Sequence, residues 1–147
     1  MKTPSGKASN KAGFSLLELM VVIVIMGILA TVVVLNVLPS QDRAMVEKAR
    51  TDISTLEQAV ELYRLELLAY PTTDDGLEAL VEGPSDAALA ARFPANGFIR
   101  RLPADPWGNP YQYLHPGEHG EFDIFTLGAD GRAGGEGLDA DIGNWEE

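Results

Sequence analysis

Glu18 is the residue with the clearest chemical consequence, because it is an acid near the start of a long apolar run. Residues 19–35 contain no charged side chain. A helix over residues 14–38 would be about 37 Å long, enough to cross the roughly 30 Å hydrocarbon core of a bilayer. A carboxylate in such a segment costs roughly 2.5–3.5 kcal/mol at the bilayer centre and less near an interface. Glu18 therefore needs a positive partner, and a cut directly before Phe14 would create one in the new terminal amine.

A second group of residues, near the C-terminus, could hold a metal ion. Residues 128–141 contain five glycines and four acids, and the aspartates Asp130, Asp139 and Asp141 lie towards the two ends of this loop. Calcium takes six to eight oxygen ligands, usually a mixture of carboxylates and main-chain carbonyls. The loop lacks the alternating acids of an EF-hand. The pattern fits either a calcium site of another kind or a solvated acidic loop.

Two histidines could suggest zinc, but their context argues against it. His115 and His119 have the spacing of a zinc pair on a helix, yet Pro116 and Gly117 lie between them and the chain has no cysteine. The sequence also shows no nucleophile–histidine–acid arrangement, since its serines fall in the apolar run, in loops or on an amphipathic stretch. We predict neither a zinc site nor an enzyme.

Charge is distributed unevenly along the 147 residues, whose formal net charge is −11. Residues 1–13 are basic, so the remainder is more acidic still. This asymmetry favours a topology with the start of the chain in the cytoplasm and the C-terminal part outside. Strong acidity argues against a nucleic acid partner, which needs clusters of Lys and Arg. The pair Arg100-Arg101 is expected instead to contact acids on a neighbouring molecule.

One long helix is predicted to begin with the apolar run. Residues 14–38 form its membrane half, and over residues 39–69 the pattern becomes amphipathic. Pro39 can bend the helix, because a proline removes one backbone hydrogen bond. We expect the apolar face of the second half to pack on a small domain. That face consists of Ala49, Ile53, Leu56, Val60, Tyr63 and Leu67.

Residues 70–147 are predicted to open with short helices. Pro71 ends the long helix, and Thr72 or Thr73 is expected to cap the next one. Residues 87–92 add a further helical turn.

The rest of this segment is predicted to contain an antiparallel hairpin. Residues 111–114 and 121–127 have the aromatic and β-branched content of strands, and residues 116–120 connect them. A small domain without a disulfide often depends on a metal or on an oligomer for its stability.

The segment from Gly13 to Glu18, with its basic leader, resembles the class III signal of type IV pilins and pseudopilins. The resemblance implies that residues 1–13 are a leader peptide, removed by a prepilin peptidase that cuts after Gly13 and methylates the amine of Phe14. It also implies that Glu18 pairs with the terminal amine of a neighbouring subunit during assembly. An ordinary secretory signal, cut near Ala30, and a plain membrane anchor are the alternatives. Neither has a use for a buried acid at Glu18.

A narrower resemblance covers the chain from Gly13 onward. Residues 70–73, 100–108, 111, 123–128 and 141–145 are similar to the major pseudopilins of type II secretion systems. The implied fold is α+β and type IV pilin-like. In it, a long N-terminal helix, membrane half then amphipathic half, packs on a small C-terminal antiparallel sheet with a calcium-binding loop. Relatives commonly carry proline where this chain has Leu35, so a helix irregularity is expected at Leu35 or at Pro39.

The same resemblance implies a structural calcium ion in the C-terminal loop. Its side-chain ligands would be Asp130 and one or both of Asp139 and Asp141. The carbonyls of Leu127 and Arg132 are implied as further ligands.

The function implied by the resemblance is structural. The processed subunit would leave the inner membrane and form a helical homopolymer, a periplasmic filament that drives folded proteins across the outer membrane. Its implied partners are the peptidase, minor pseudopilins and the inner-membrane assembly platform, with the C-terminal domain in the periplasm. A type IV pilin of a surface fibre is one alternative, although such pilins usually have a C-terminal disulfide. A membrane-anchored calcium-binding module is the other.

Overall fold

The computed structural model describes residues 1–3, 6 and 12–146, and it describes the backbone alone for residues 35–39. Most of the predicted leader, residues 1–13, therefore lies outside the described residues. The chain divides into two compact units, residues 1–40 and residues 41–147. The elements are the helices α1 Leu16–Leu67, α2 Ala79–Glu82 and α3 Ala87–Ala90, the strands β1 Gln112–Leu114, β2 Asp123–Thr126 and β3 Ile142–Gly143, and a 3-10 turn Gly137–Asp139.

The first unit is dominated by the apolar part of α1. Residues Leu16–Val34 are long and apolar enough to cross a membrane, with a mean hydropathy of 2.8 and none of the segment buried. The helix begins two residues later than the sequence suggested. The helical assignment runs through both Leu35 and Pro39, so the two predicted halves belong to one helical element.

The second unit is built on the amphipathic part of α1. All six residues of the predicted apolar face are buried, which confirms that face. Their spacing of three and four places them on one side of the helix, where they form the core with residues of the following segments. That core includes Leu77, Leu80, Tyr111, Tyr113, Phe122 and Ile124.

α1 ends earlier than the sequence suggested. Its last residue is Leu67, and Leu68 adopts a left-handed conformation with φ 59°. The amide of Leu68 donates to the carbonyl of Arg64 at 2.8 Å and closes the last turn. Pro71 follows the end of the helix rather than causing it.

The predicted cap of the next helix is wrong. α2 begins only at Ala79, and its N-cap, Glu78, makes no side-chain cap. The Thr72 hydroxyl instead accepts a hydrogen bond from the amide of Asp75 at 3.1 Å and stabilises a turn. The Thr73 hydroxyl donates to the carbonyl of His115 at 2.9 Å. Both threonines are committed to other contacts, so neither caps α2. The helical turn α3, by contrast, falls within the predicted range.

The sheet confirms the predicted hairpin and adds a strand. β1 and β2 are antiparallel, with Tyr113 opposite Ile124. β3 joins the other edge of β2, where Gly143 lies opposite Phe125. We did not predict β3, because two residues carry no periodicity.

Candidate functional sites

The first candidate site is the start of α1, where Glu18 has a local partner. The Glu18 carboxylate accepts a hydrogen bond from the amide of Ser15 at 3.3 Å, and the Ser15 hydroxyl accepts one from the amide of Glu18 at 3.2 Å. This reciprocal pair is a capping box, which satisfies two amides that a helix start leaves unpaired. The spacing of Ser15 and Glu18 is the sequence signature of that motif, and our sequence reasoning overlooked it.

The capping box satisfies hydrogen bonds without neutralising the carboxylate. Its donor, the Ser15 amide, is uncharged, so the negative charge of Glu18 remains available to a cation. Gly13 and Phe14, the residues of the predicted cleavage, are exposed just ahead of the helix. With Phe14 83% exposed, the predicted cleavage point is open to another protein.

The second candidate site is the loop between β2 and β3, whose two ends lie close together. Thr126, at the end of β2, is fully buried and donates to the carboxylate of Asp105. Gly128 has φ 70°, and a Cβ there would lie 2.7 Å from the backbone carbon of Asp139. The amide of Ala129 donates to the carbonyl of Leu138 at 2.8 Å. The two ends of the loop are therefore in direct contact.

The two carboxylate oxygens of Asp141, in the same loop, have different surroundings. Its Oδ2 accepts a hydrogen bond from the amide of Gly134 at 2.9 Å, while its buried Oδ1 has no hydrogen-bond partner among the described residues. A buried carboxylate oxygen without a donor is unfavourable, and a cation beside it would remove the penalty. The chemistry of Asp141 therefore fits a calcium ligand.

The other predicted ligands are arranged less tightly. Asp130 is exposed and accepts a hydrogen bond from the amide of Arg132 at 3.0 Å. Asp139 is exposed in the 3-10 turn, and Leu127 is half-buried. Within residues 1–3, 6 and 12–146, no three His, Cys, Asp or Glu side chains are gathered to hold a metal. A calcium ion in this loop would consequently depend on carbonyl oxygens as well as carboxylates.

A third feature, which the sequence did not reveal, is an acidic cavity of about 220 Å³ in the second unit. The Tyr70 hydroxyl lies 3.2 Å from a carboxylate oxygen of Glu61 and 3.0 Å from one of Glu121. Burial and the hydrogen bond with Glu121 raise the pKa of Tyr70 to about 12. The cavity is lined by Glu57, Glu61, His119, Gly120, Glu121, Phe122, Asp123, Asn144 and Trp145.

The basic pair singled out in the sequence is available for contacts outside the chain. Arg100 and Arg101 are both exposed, and neither forms an ion pair with another described residue. This arrangement is compatible with the expected contact to acids on a neighbour.

Comparison with known families gives two matches that together span most of the chain. Residues 36–145 match the family model of protein G of the type II secretion system. Residues 8–34 match the prokaryotic N-terminal methylation motif.

Curated relatives are similar along almost their whole length. The type II secretion system core protein G of Vibrio cholerae is 55% identical over 95% of this chain and 94% of its own length. The protein of the same name from Pseudomonas aeruginosa is 50% identical over 93% of this chain and 96% of its own length.

A solved structure has a similar fold. The crystal structure of the major pseudopilin from the type 2 secretion system of enterohaemorrhagic Escherichia coli matches with a TM-score of 0.65 and 43% identity. The match covers 75% of this chain and 94% of that one.

Proposed function

We propose a function for this chain that starts from its family. The chain belongs to the protein G family of type II secretion systems, the major pseudopilins. It is a structural subunit of the pseudopilus and functions in protein secretion. The match to the pseudopilin family favours this role over that of a surface-fibre pilin or an anchored calcium-binding module.

The first proposed step is processing at the start of α1. A prepilin peptidase removes residues 1–13 by cutting after Gly13 and methylates the amine of Phe14. The match of residues 8–34 to the methylation motif supports this step, as does the exposure of Phe14.

The second proposed step is assembly through Glu18. The observation that carries it is an apolar, exposed helix over Leu16–Val34 whose single charged residue is Glu18. In a membrane or a filament core an unpaired carboxylate is unfavourable, and a capping box with Ser15 supplies no countercharge. The amine of Phe14 on a neighbouring subunit supplies it at one stagger of the two helices. Pairing therefore favours that stagger over others.

The assembled filament is proposed to grow in the periplasm. The apolar helices form its core, while the acidic domains face outward and present Arg100-Arg101 to acids of adjacent copies. Minor pseudopilins and the inner-membrane assembly platform take part in growth, which moves folded proteins across the outer membrane. The basic leader supports a cytoplasmic start and a periplasmic C-terminal domain.

A structural calcium ion is proposed for the loop between β2 and β3. The residues that would hold it are Asp130, one or both of Asp139 and Asp141, and the carbonyls of Leu127 and Arg132. The unpartnered, buried Oδ1 of Asp141 supports this proposal. These residues lie at both ends of a loop that has no disulfide, so a bound ion would supply a cross-link between them.

The test of the processing step is the intact mass of the protein extracted from the membrane, with its N-terminal peptide sequenced by fragmentation. We expect a chain that starts at Phe14 and carries one extra methyl group. A start at Met1, or at a residue after Ala30, would contradict the proposal.

A further inference from the structure

We propose that His119 and Trp145 form a proton-responsive latch, which holds the C-terminal segment against the loop between β1 and β2 and tightens when His119 is protonated. This regulatory device goes beyond the role of the chain as a filament subunit.

The C-terminal segment has few backbone contacts to hold it. β3 is two residues long and pairs only with the end of β2. Beyond it, the backbone amide of Asn144 donates to the carbonyl of Ile124 at 3.0 Å. The Asn144 side chain accepts a hydrogen bond from the amide of Ile124 at 3.1 Å and donates to the carbonyl of Phe122 at 3.2 Å. Side chains after β3 therefore contribute much of the attachment.

Trp145 is attached to the hairpin loop through His119. The two rings are stacked, with centroids 3.9 Å apart and planes 19° apart. The Trp145 ring also contacts Phe125, at 5.7 Å between centroids, and lies against the backbone of Gly143, where a Cβ would be 2.4 Å from the ring. The imidazole is thus one of three groups that position Trp145.

A buried carboxylate fixes that imidazole. Nδ1 of His119 lies 3.0 Å from Oδ2 of Asp123, whose side chain is 2% exposed. The amides of Glu118 and His119 donate to the same carboxylate oxygen at 2.8 and 3.1 Å. A Cβ at Gly117 would lie 2.5 Å from Oδ1 of Asp123, so glycine is required for the loop to wrap this closely.

The charges that face the imidazole are predominantly negative. Glu57 and Glu61 from α1 and Glu121 and Asp123 from the hairpin line the same cavity as His119. Glu118 precedes His119 directly. Arg64 pairs with Glu61 at 3.5 Å and neutralises part of this charge. Arg50 pairs with Glu146, next to Trp145, at 3.4 Å.

Protonation of His119 changes all of these contacts in the same direction. The hydrogen bond to Asp123 becomes charge-assisted, the stack on Trp145 becomes a cation–π contact, and the surrounding acids gain a cation. The latch therefore tightens when the imidazole gains a proton and loosens when it loses one.

The test follows the fluorescence of Trp145 in the full chain, in detergent. The chain has two tryptophans, so Trp107→Phe leaves Trp145 as the only indole emitter. We expect its emission to fall as the pH is lowered from 8 to 5, because an imidazolium stacked on an indole quenches it. The protection factors of the amides of residues 142–145, which correct the exchange rates for their intrinsic dependence on pH, should rise over the same range.

Matched variants identify the group responsible. In the Trp107→Phe background, His119→Gln should abolish both pH responses, while His115→Gln should retain them because His115 contacts Tyr70 instead. His119→Phe keeps a stacked ring without a proton and should also abolish them. A flat emission profile in the parent, or a response that survives in His119→Gln or His119→Phe, would overturn the latch.

Discussion

The carboxylate of Asp141 is held by the backbone of Gly134, whose amide donates to Oδ2 at 2.9 Å, while Oδ1 of the same group is buried and finds no partner in the described part of the chain. One oxygen of this carboxylate is thus positioned by the loop, and the other would accept the cation that we propose for this site. The same loop joins β2 to β3, so a cation bound there would also restrain the strand that precedes Trp145.

Calcium should raise the melting temperature of the protein. At a hundredfold excess over its Kd, a ligand that binds only the folded state stabilises it by about 2.7 kcal/mol. For a domain of this size, that corresponds to a rise on the order of 10 °C, measured by thermal melts in calcium and in EDTA. Asp141→Asn should lose most of the rise, whereas Glu136→Gln in the same loop should keep it. Equal melting temperatures in calcium and EDTA would contradict the site.

Loss of the Glu18 carboxylate should abolish secretion while the protein stays in the membrane. Glu18→Val removes the charge that we propose to pair with the neighbouring amine, and it makes the segment more apolar. Ser15→Ala is the matched variant, since it removes half of the capping box and keeps the carboxylate. It should weaken the helix start by about 1 kcal/mol and impair secretion less than Glu18→Val. Secretion assays and membrane fractionation measure both. Normal secretion by Glu18→Val would exclude the assembly role.

Truncation of the central core residue should destabilise the second unit. Ile124 is fully buried opposite Tyr113, so Ile124→Ala should lower the free energy of unfolding by about 2–5 kcal/mol. Leu65→Ala is a suitable comparison, because Leu65 is 68% exposed and its loss should change stability by less than about 0.5 kcal/mol. Chemical denaturation provides the measurement, and similar effects of the two variants would argue against the described core.

Acidic pH should remove the contribution of Asp123 to the stability of the folded protein. Burial alone would raise the pKa of Asp123, but hydrogen bonds from the His119 ring and from the amides of Glu118 and His119 outweigh it and lower the pKa. A lowered folded-state pKa gives stability that is present above the unfolded value of about 3.9 and lost as the pH falls through the folded value.

The variant Asp123→Asn should therefore be less stable than the parent at neutral pH, by about 1–3 kcal/mol. The difference should narrow as the pH falls below about 4. Glu66→Gln, on the exposed side of α1, should follow the parent at every pH. A constant difference between Asp123→Asn and the parent across the acid range would refute this account.

Replacing Leu68, just after the end of α1, with glycine should stabilise the protein. Leu68 is 76% exposed and has φ 59°, a conformation that costs a side-chain-bearing residue roughly 1–2 kcal/mol. Leu68→Gly relieves that strain at an entropic cost of roughly 0.5–1 kcal/mol, so a net gain of about 0.5–1 kcal/mol is expected in denaturation experiments. Leu65→Gly, inside the helix, should instead destabilise by about 1 kcal/mol. If both variants were less stable than the parent, the left-handed conformation of Leu68 would not be a source of strain.

Local pattern was sufficient for much of this protein. The apolar run indicated a helix long enough to cross a membrane, because such a segment is defined by length and composition alone. The family was indicated by the resemblance of residues 13–18 to the signal of pilins and pseudopilins. The spacing of apolar residues between Ala49 and Leu67 indicated the buried face of α1, because residues three or four positions apart lie on the same side of a helix. The hairpin of β1 and β2 followed from the aromatic and β-branched content of two short runs and the turn-rich connection between them.

Tertiary structure decided the features that depend on residues far apart in sequence. Thr73 bonds to His115 rather than capping α2, and β3 exists only because β2 has a free edge for Ile142 and Gly143. The stack of His119 on Trp145 joins residues that no local pattern relates. The periodicity and composition of a segment can be read from the sequence alone. Which distant residue a side chain contacts depends on how the whole chain packs.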